Sequence, residues 1–432
     1  MRKMHSCWVF LLISLLTPLL ASGASDSCGA ASLAALPVAS QSSVSAVMPD
    51  RTKQLAKLLA SDGLANDRLG WSADISGSTA VLGAPFWPDW GIQGRALVFV
   101  KPASGWANMT QTATLMASDG AGGDYFGAGV SISGNVVVVG SPWSDGQGAA
   151  YVFVKPANGW ADMTETAKLT ASDAVGGAQL GQTVSIYGET IVLGAPNSVA
   201  AYVFVKPANG WANMKETAKL TPSDAPTGYS GGNGVSISGK TVVVGAPGAN
   251  QSQGAAYVFV KPANGWANMK ETAKLIASDG KAGDYFGWAL DVSGDTVAVG
   301  AFNASVGSHQ NQGAAYIFVK PAKGWKTTSK FNAKLTASDG ATTDQLGFGV
   351  ATNGNTVLAG APGFNSYQGA AYIFVKPAKG WKTTSKFNEK LTASDGVVGD
   401  YFGFSPSIGN GKMLVGAACV NNCGGAAYVF GK

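Results

Sequence analysis

Acidic side chains recur at fixed places in this chain and are its first candidates for chemistry. A Ser-Asp step returns seven times at intervals of 51–60 residues, and a second Asp follows five residues later in five copies. Such pairs could bind a cation such as Ca²⁺, which takes roughly six to eight oxygen ligands, or could accept backbone N–H groups within a turn. Repetition in every copy favours the structural interpretation, since a ligand site is rarely needed so often. The residues are Asp62, Asp119, Asp173, Asp224, Asp279, Asp339 and Asp395, followed by Asp67, Asp124, Asp284, Asp344 and Asp400.

Other catalytic groups are scarce. After residue 24 the chain has one histidine, His309, on which any Ser-His-Asp or Cys-His arrangement would depend. It has no His/Cys spacing of the kind that binds zinc and no Gly-Lys-Ser/Thr phosphate loop. Two acids from distant repeats could still meet and cleave a polysaccharide. We therefore expect a protein that is not an enzyme and has no cofactor, and keep a carboxylate-dependent polysaccharide hydrolase or lyase as the alternative.

The cysteines suggest one disulfide. Cys419 and Cys423 lie in a single loop, and an oxidising compartment would favour a bond between them. A metal site at this pair lacks two further ligands, and Cys28 would stay unpaired.

Aromatic residues mark the loops that differ most between copies, which join the second and third strand of each repeat. Variation on a fixed scaffold is where binding usually resides. These rings are therefore candidates for a patch that binds a sugar or a protein, and simple loop packing is the alternative. They are Trp87, Trp90, Trp143, Phe302 and Tyr367.

A Lys-Pro-x-x-Gly-Trp series follows the third strand in six copies. Its indoles could stack on sugars, but packing within the protein is the favoured interpretation. The lysines that accompany these indoles make a weak polyanion site a further option. The tryptophans are Trp106, Trp160, Trp211, Trp266, Trp325 and Trp381.

The repeat that carries these residues reads as four short strands. The stretch 128–133 alternates apolar and small polar residues, as a strand with two different faces does. The next two, 136–139 and 149–154, are apolar throughout, which indicates burial on both faces. The fourth, 167–171, carries Lys168, and lysine suits an edge strand. Seven such units predict an all-β fold, a seven-bladed β-propeller of four-stranded antiparallel blades.

The two ends of the repeat array complement each other. The last copy stops after its third strand, at 426–430, and the missing fourth strand stands at 56–59 before the first copy. We expect this N-terminal strand to pair into the last blade and close the ring. An open solenoid would need polar caps instead.

Phe-Gly or Leu-Gly before the first strand and Gly-Ala-Pro after the second are the marks of the FG-GAP repeat. Clear copies stand at Phe126-Gly127 with Gly140-Ser141-Pro142 and at Leu69-Gly70 with Gly83-Ala84-Pro85. From about residue 55 to 432 the chain resembles FG-GAP repeat proteins of the secreted bacterial type and, distantly, the integrin α-subunit propeller. The resemblance implies a propeller and a role in adhesion, polysaccharide-related or enzyme-attached functions. The fourth copy departs, with Gly231-Gly232, and no Asp-rich calcium loop occurs between strands one and two, so no metal is expected there.

The N-terminus resembles a secretory signal peptide, with a basic start, a short apolar run and small residues near Ala24. We divide the chain into a signal peptide (1–24), a Ser/Ala-rich linker (25–54) and the propeller (55–432), and expect a secreted protein that is extracellular or on the cell surface, or else periplasmic. The net charge is +5, or +3 without Arg2 and Lys3, which is too mild for a nucleic-acid protein. We expect a monomer that does not span a membrane, and a non-catalytic module that binds an extracellular protein or glycan. A structural surface protein without a ligand is the other alternative.

Overall fold

A computed structural model describes residues 51–86, 93–198, 200–224 and 234–432. The expected signal peptide, residues 25–50 of the linker, Cys28, Trp87, Trp90 and Gly231-Gly232 lie outside the described residues. Within the described ranges, no helix has both the length and the apolar character needed to cross a membrane.

The described chain consists mostly of short strands. In chain order they are β1 (Lys53–Leu59), β2 (Ser72–Ser76), β3 (Thr79–Ala84), β4 (Arg95–Val100), β5 (Met109–Thr110), β6 (Ala113–Leu115), β7 (Val130–Ser133), β8 (Val136–Ser141), β9 (Ala149–Val154), β10 (Ala167–Thr170), β11 (Val184–Tyr187), β12 (Thr190–Ala195), β13 (Ala200–Val205), β14 (Met214–Lys215), β15 (Ala218–Leu220), β16 (Val235–Ser238), β17 (Thr241–Ala246), β18 (Ala255–Val260), β19 (Ala273–Leu275), β20 (Leu290–Ser293), β21 (Thr296–Ala301), β22 (Ala314–Val319), β23 (Ala333–Leu335), β24 (Val350–Thr352), β25 (Thr356–Ala361), β26 (Ala370–Val375), β27 (Glu389–Leu391), β28 (Phe402–Gly409), β29 (Lys412–Ala417) and β30 (Ala426–Gly431).

The strands form seven sheets, which confirms the predicted seven-bladed propeller of four-stranded antiparallel blades. Blade 1 has the order β2-β3-β4-β6, blade 2 β7-β8-β9-β10, blade 3 β11-β12-β13-β15 and blade 4 β16-β17-β18-β19. Blade 5 has β20-β21-β22-β23, blade 6 β24-β25-β26-β27 and blade 7 β28-β29-β30-β1. The two-residue strands β5 and β14 lie beyond the outer strands of blades 7 and 2.

Helical segments are short and lie in the loops between second and third strands. Two 3-10 turns span Ser144–Gly146 and Pro196–Ser198. Three four-residue turns, α1 (Ala249–Ser252), α2 (Phe364–Tyr367) and α3 (Val420–Cys423), contain residues with left-handed backbone angles.

The core lies between blades rather than within one sheet. Val81 and Val98 of blade 1 pack in one cluster with Val137 and Val139 of blade 2, and all four are 0% exposed. The second and third strands are therefore buried on both faces, as their continuous apolar sequence predicts. Trp160 belongs to the same cluster and is 7% exposed, which confirms the packing interpretation for this indole.

The recurring glycines set how closely neighbouring blades approach. A Cβ on Gly83, in the second strand of blade 1, would overlap the carbonyl oxygen of Gly127, which precedes the first strand of blade 2. Gly140 has the same relation to Gly181 of the next junction. The Gly of the Gly-Ala-Pro step and the Gly of the Phe-Gly step are thus the two sides of one backbone contact, which leaves no room for a side chain.

The same contact occurs where the last blade meets the first. A Cβ on Gly416 would overlap the carbonyl oxygen of Gly70. In blade 7 the outer position is occupied by β1, which pairs antiparallel with β30 and places Lys57 opposite Tyr428. That this exchange holds the ring closed stays a prediction about stability.

Candidate functional site

One face of the propeller, here called the connector face, carries two sets of loops. The connectors run from the outer strand of one blade to the inner strand of the next, and the second-to-third strand loops lie beside them. The two sets are hydrogen-bonded to each other: Tyr285 N–H donates to the Ser252 carbonyl at 2.8 Å, and Tyr401 N–H donates to the Tyr367 carbonyl at 2.8 Å. Variable loops and connectors therefore form one continuous surface.

In four of the five pairs the second Asp is a turn residue. Asp124 accepts the N–H of Ala121 at 2.9 Å, and Asp344 accepts that of Ala341 at 2.7 Å. Asp284 and Asp400 make the same bond three residues back. The structural interpretation is confirmed for these four. Among the described residues, no group of three or more His, Cys, Asp or Glu side chains is placed to hold a metal ion.

The first Asp is held differently from the prediction. Asp119 accepts the hydroxyl of Tyr151 at 2.9 Å and the ammonium of Lys168 at 2.7 Å. Burial raises the pKa of Asp119, but Lys168 and Tyr151 outweigh it and lower the pKa below its ordinary value. Asp173 with Tyr202 and Lys219, and Asp224 with Tyr257 and Lys274, repeat the arrangement. In blades 2, 3 and 4 the connector is thus fastened to the third and outer strands of the blade that it introduces.

In blade 1 an arginine takes over from the tyrosine and the lysine of this Asp-Tyr-Lys triad. Leu97 and Thr114 stand opposite each other at the register positions that Tyr151 and Lys168 occupy in blade 2. Arg95 instead donates to both oxygens of Asp62, at 2.6 and 2.7 Å, and also bonds Asp67. Asp67 is 0% exposed and Arg95 2% exposed, so this ion pair is buried, whereas the side chain of Asp62 is 40% exposed.

The most distinctive feature of the connector face is a continuous series of eight aromatic rings, which we call the aromatic arc. Neighbouring ring centroids lie 4.7–5.9 Å apart, within the usual range for edge and tilted contacts. Phe302 and Phe348 are buried, and the other six rings are half-buried. In order along the arc the residues are Tyr125, Phe86, Trp71, Phe404, Phe348, Trp288, Phe302 and Tyr285.

Half of the arc comes from one position of the repeat, the residue that follows the Phe-Gly or Leu-Gly step. This position holds a large ring in blades 1, 5, 6 and 7, namely Trp71, Trp288, Phe348 and Phe404. In blades 2 and 3 it holds Ala128 and Gln182. In blades 1, 2, 3, 5 and 6 the N–H of this residue donates to the carbonyl three residues back whether or not the residue is aromatic, so the rings are not a requirement of the fold.

Arg68 adds a cation to the arc. Its guanidinium lies 5.2 Å from the ring centroid of Phe86 and 5.9 Å from that of Trp71, both within the range of a cation–π contact. Burial lowers the pKa of Arg68, although arginine stays charged at neutral pH. Among the described residues, no carboxylate lies within 4.0 Å of it.

The described aromatic residues that the sequence analysis proposed as a binding patch do not lie together in the structure. Phe302 is in the arc, whereas Tyr367 contacts Tyr401 in a separate pair, with ring centroids 5.2 Å apart. Trp143 is half-buried and contacts no other described aromatic ring, while Trp87 and Trp90 lie outside the described residues. Sequence reasoning missed Arg68 and the rings at the post-glycine position. Aligning the repeats on their glycines would have exposed that position.

A cavity of about 350 Å³ runs along the propeller axis and is lined by the inner strands of all seven blades. Seven register-equivalent positions face it, here called the axial belt: Asp74, Ser131, Ser185, Ser236, Asp291, Ala351 and Ser407. Small polar residues were expected on this side of the inner strand, and two copies depart from that pattern with aspartate.

Among the described residues, belt side chains hydrogen-bond neighbouring blades at six of the seven junctions, the exception being that of blades 6 and 7, where Ala351 has no polar side chain. Asp74 accepts the Ser407 hydroxyl at 2.7 Å and the Ser131 hydroxyl at 3.0 Å. Asp291 accepts the Ser236 hydroxyl and the Thr352 N–H, each at 2.7 Å. Removal from bulk water raises the pKa of Asp291 to about 6, and the charge of Asp74 acts in the same direction.

Three further residues that the sequence analysis considered can be placed. His309 is exposed and pairs through its backbone with Val306. Cys419 and Cys423 lie at the two ends of α3 with their sulfur atoms adjacent, as a disulfide requires. The bond itself stays a prediction, which thiol titration of the purified protein before and after reduction would test.

Comparison with known proteins agrees with the geometry. A sequence model described as the FG-GAP repeat matches seven segments of the chain: residues 52–99, 109–153, 163–204, 214–259, 269–318, 330–374 and 386–430. No curated protein matches the chain.

Proposed function

The chain belongs to the FG-GAP repeat family, and from that premise we propose that it is a non-catalytic binding or adhesion module that recognises an extracellular protein or glycan through the aromatic arc. The observation that carries the proposal is the asymmetry of the post-glycine position. Rings occupy it in four blades and cluster on one side of the connector face, although blades 2 and 3 form the same backbone without them.

The composition of the arc favours a protein ligand over a glycan. Trp, Tyr and Arg are the residues that most often dominate protein–protein binding energy. Arg68, Trp71 and Tyr125 supply all three types within one run of contacts. Variable loops surround this run, so the rim around the rings differs from blade to blade, as a specific interface requires.

The test uses arrays of purified extracellular protein domains and of glycans. Any ligand that binds the wild type is measured again with Trp71→Ala combined with Phe404→Ala. We expect binding about 30-fold weaker or more, the effect of removing hot-spot side chains. Gln182→Ala, at the equivalent position of blade 3, is the matched control and should bind as the wild type does.

A melting curve of each variant separates lost binding from lost folding. Arg68→Met provides a second probe, because it removes the cation and leaves the rings in place. If a ligand binds the ring variants and Arg68→Met as tightly as the wild type, the arc is not its site. In that case Tyr367 and the loops that contain Trp87 and Trp90 become the next residues to change.

A carboxylate-dependent polysaccharide hydrolase or lyase is the second candidate, because Asp74 and Asp291 both line the axial cavity. Binding is favoured over cleavage because both carboxylates are engaged by hydroxyl and N–H donors of neighbouring blades. A turnover assay on a polysaccharide panel decides the matter. Product formation that disappears in Asp74→Ser combined with Asp291→Ser would favour the hydrolase. A protein that neither binds nor turns over any member of these panels would be a structural surface protein.

Export from the cytoplasm is part of the proposal. The expected signal peptide at 1–24 and the adjacent sulfurs of Cys419 and Cys423 both suit an oxidising compartment. N-terminal sequencing of the mature protein after expression should show cleavage near Ala24, and an intact N-terminus would contradict this part.

A further inference from the structure

Two loops on neighbouring blades carry an unusual concentration of lysine. The loops between third and outer strands of blades 5 and 6 have the same thirteen residues, Lys-Pro-Ala-Lys-Gly-Trp-Lys-Thr-Thr-Ser-Lys-Phe-Asn, at 320–332 and 376–388. Each contains four lysines and no acid. The corresponding loops 101–112, 155–166, 206–217 and 261–272 contain one or two lysines, and three of those four contain Glu. The eight residues, here called the lysine rim, are Lys320, Lys323, Lys326, Lys330, Lys376, Lys379, Lys382 and Lys386.

The lysine rim is held on ordered backbone at the circumference of the propeller. Thr328 N–H donates to the Lys274 carbonyl of blade 4 at 2.9 Å, and Thr384 N–H donates to the Lys334 carbonyl of blade 5 at 3.0 Å. Each loop therefore crosses to the outer strand of the preceding blade. Because the two loops stand on adjacent blades and follow the same course, their charges form one sector of the rim.

These lysines are free to act on a ligand. All are exposed except Lys376, which is half-buried. Among the described residues, only Lys320 of this set has a carboxylate within 4.0 Å, Asp295 at 3.3 Å. The outer-strand lysines behave differently: Lys334 and Lys390 of the same two blades bond Asp279 and Asp339.

Acidic groups found at this place in other blades are also absent. In blades 2, 3 and 4 a glutamate of the loop accepts the N–H of the preceding connector's serine, as Glu216 does from Ser172 at 2.8 Å. Blades 5 and 6 have Phe331 and Phe387 instead, which pack on Tyr316 and Tyr372 with ring centroids 5.1 and 5.0 Å apart. Compared with the loops of blades 2, 3 and 4, both loops thus have more cations and lack the glutamate. Packing of phenylalanine on tyrosine takes the place of the glutamate's hydrogen bond.

We propose that the lysine rim is a second binding site, which takes an acidic polysaccharide with repeating carboxylate or sulfate groups. Lysine ammonium groups act as mobile point charges and do not require the fixed geometry that Arg imposes. Two copies of one cationic loop suit a polymer whose charges repeat, since contacts along one chain reinforce each other. A single-stranded nucleic acid would gain from exposed rings for base stacking. In these loops Trp325 is 8% exposed, and Trp381, Phe331 and Phe387 are half-buried.

The experiment measures binding of the full propeller to alginate and to dextran sulfate, with neutral dextran as the uncharged control. The rim variant changes four lysines to Gln: Lys326, Lys330, Lys382 and Lys386. The charge-matched control changes four exposed lysines elsewhere to Gln: Lys101, Lys240, Lys281 and Lys432. We expect the rim variant to bind about tenfold more weakly or worse at low salt, and the control to stay within about twofold of the wild type.

Raising the salt from about 50 to 300 mM should weaken the wild-type interaction strongly and that of the rim variant little, since exposed charges are screened. Equal loss in both lysine variants would show a general effect of net charge and overturn the proposal. Dextran binding as tight as alginate binding would do the same. So would clear preference for a thymidine oligonucleotide or for phosphatidylserine vesicles over both acidic polysaccharides. None of these outcomes depends on the aromatic arc, which lies on the connector face.

Discussion

The junction between blades 7 and 1 differs from the other described junctions in its side chains but not in its backbone. Gly416 meets the carbonyl of Gly70 just as Gly83 meets that of Gly127. Yet the connector into blade 1 is fastened by Arg95, whereas the connector into blade 2 is fastened by Tyr151 and Lys168. The blade spacing is therefore fixed by glycine backbone, and the side chains that anchor a connector can be exchanged as a set.

The exchange at this junction coincides with two other special features. The outer strand of blade 7 is β1, from the other end of the described chain. The aromatic arc also crosses here, through the contact of Trp71 with Phe404 at 4.7 Å. The place where the repeat array begins and ends is thus also where the connector face differs most from blades 2 and 3. Variants on either side of this junction can show how much its exchanged strand and its buried arginine contribute to stability.

Deleting β1 should have the largest effect. Ala56 and Leu58 are almost fully buried between blades 7 and 1, and β1 supplies a whole strand of hydrogen bonds to β30. We expect deletion of residues 25–59 to lower the melting temperature by about 10 °C or more, because blade 7 then exposes an unpaired edge. Thermal unfolding followed by circular dichroism measures this.

The control for that deletion removes residues 25–50 only, which spares β1. It should melt as the wild type does. Equal melting temperatures for the two deletions and the wild type would mean that strand exchange does not hold the ring closed.

Arg95→Met should come next in size. It leaves Asp67, which is 0% exposed, without its cation, and stranding a buried charge costs about 3–5 kcal/mol. Lys168→Met is the matched change in blade 2. There the partner Asp119 has a side chain 47% exposed, so the expected loss is below about 1 kcal/mol. Urea unfolding of the two variants measures the difference.

Similar losses for the two variants would contradict the distinction between a buried and an exposed ion pair. Arg95→Met should also regain part of its stability on acidification. Burial already raises the pKa of Asp67, and a protonated carboxyl no longer needs the arginine.

The sequence predicted the blades well because their signals are local. Strand alternation, the apolar middle strands and the glycine steps recur within every 51–60 residues, so seven copies reinforce one interpretation. The aromatic arc depends on contacts between residues that are far apart in the sequence, such as Trp71 with Phe404. No local sequence pattern predicts such contacts. The rings nominated in variable loops were chosen for being unusual there, whereas most of the arc comes from connectors and strand starts.

The connector triads were within reach of sequence reasoning but were missed. The Asp-Tyr-Lys set of Asp119, Tyr151 and Lys168 recurs with Lys 17 or 18 residues after Tyr, and in the first copy Leu97 and Thr114 replace Tyr and Lys together. Joint replacement of this kind points to a contact. The aspartates were interpreted as turn residues because each was considered without the strands that lie across from it. Only the register of the third and outer strands brings Tyr and Lys to the same side.

The smallest expected effect concerns the axial belt. Asp74 of this belt bonds Ser407 across the 7–1 junction, and Asp291 of blade 5 is the second aspartate in the belt. Because the folded-state pKa of Asp291 is raised to about 6, the folded protein binds its proton more tightly than the unfolded chain does. The stabilising contribution of this proton is therefore present at acid pH and is lost as the pH rises through about 6. Over pH 4 to 7 we expect Asp291 to account for a loss of about 1–2 kcal/mol.

Asp291→Ser provides the comparison, since serine occupies the same belt position in blades 2, 3, 4 and 7. The wild type should lose free energy of unfolding relative to this variant as the pH rises, because Asp291 titrates in this range and serine does not. Urea unfolding at pH 4, 5, 6 and 7 measures it. A difference that stays constant across this range would show that the pKa of Asp291 is the same in the folded and the unfolded chain, which would contradict the raised value. The hydrogen bonds from Ser236 and Thr352 would then offset the cost of removing the carboxylate from water.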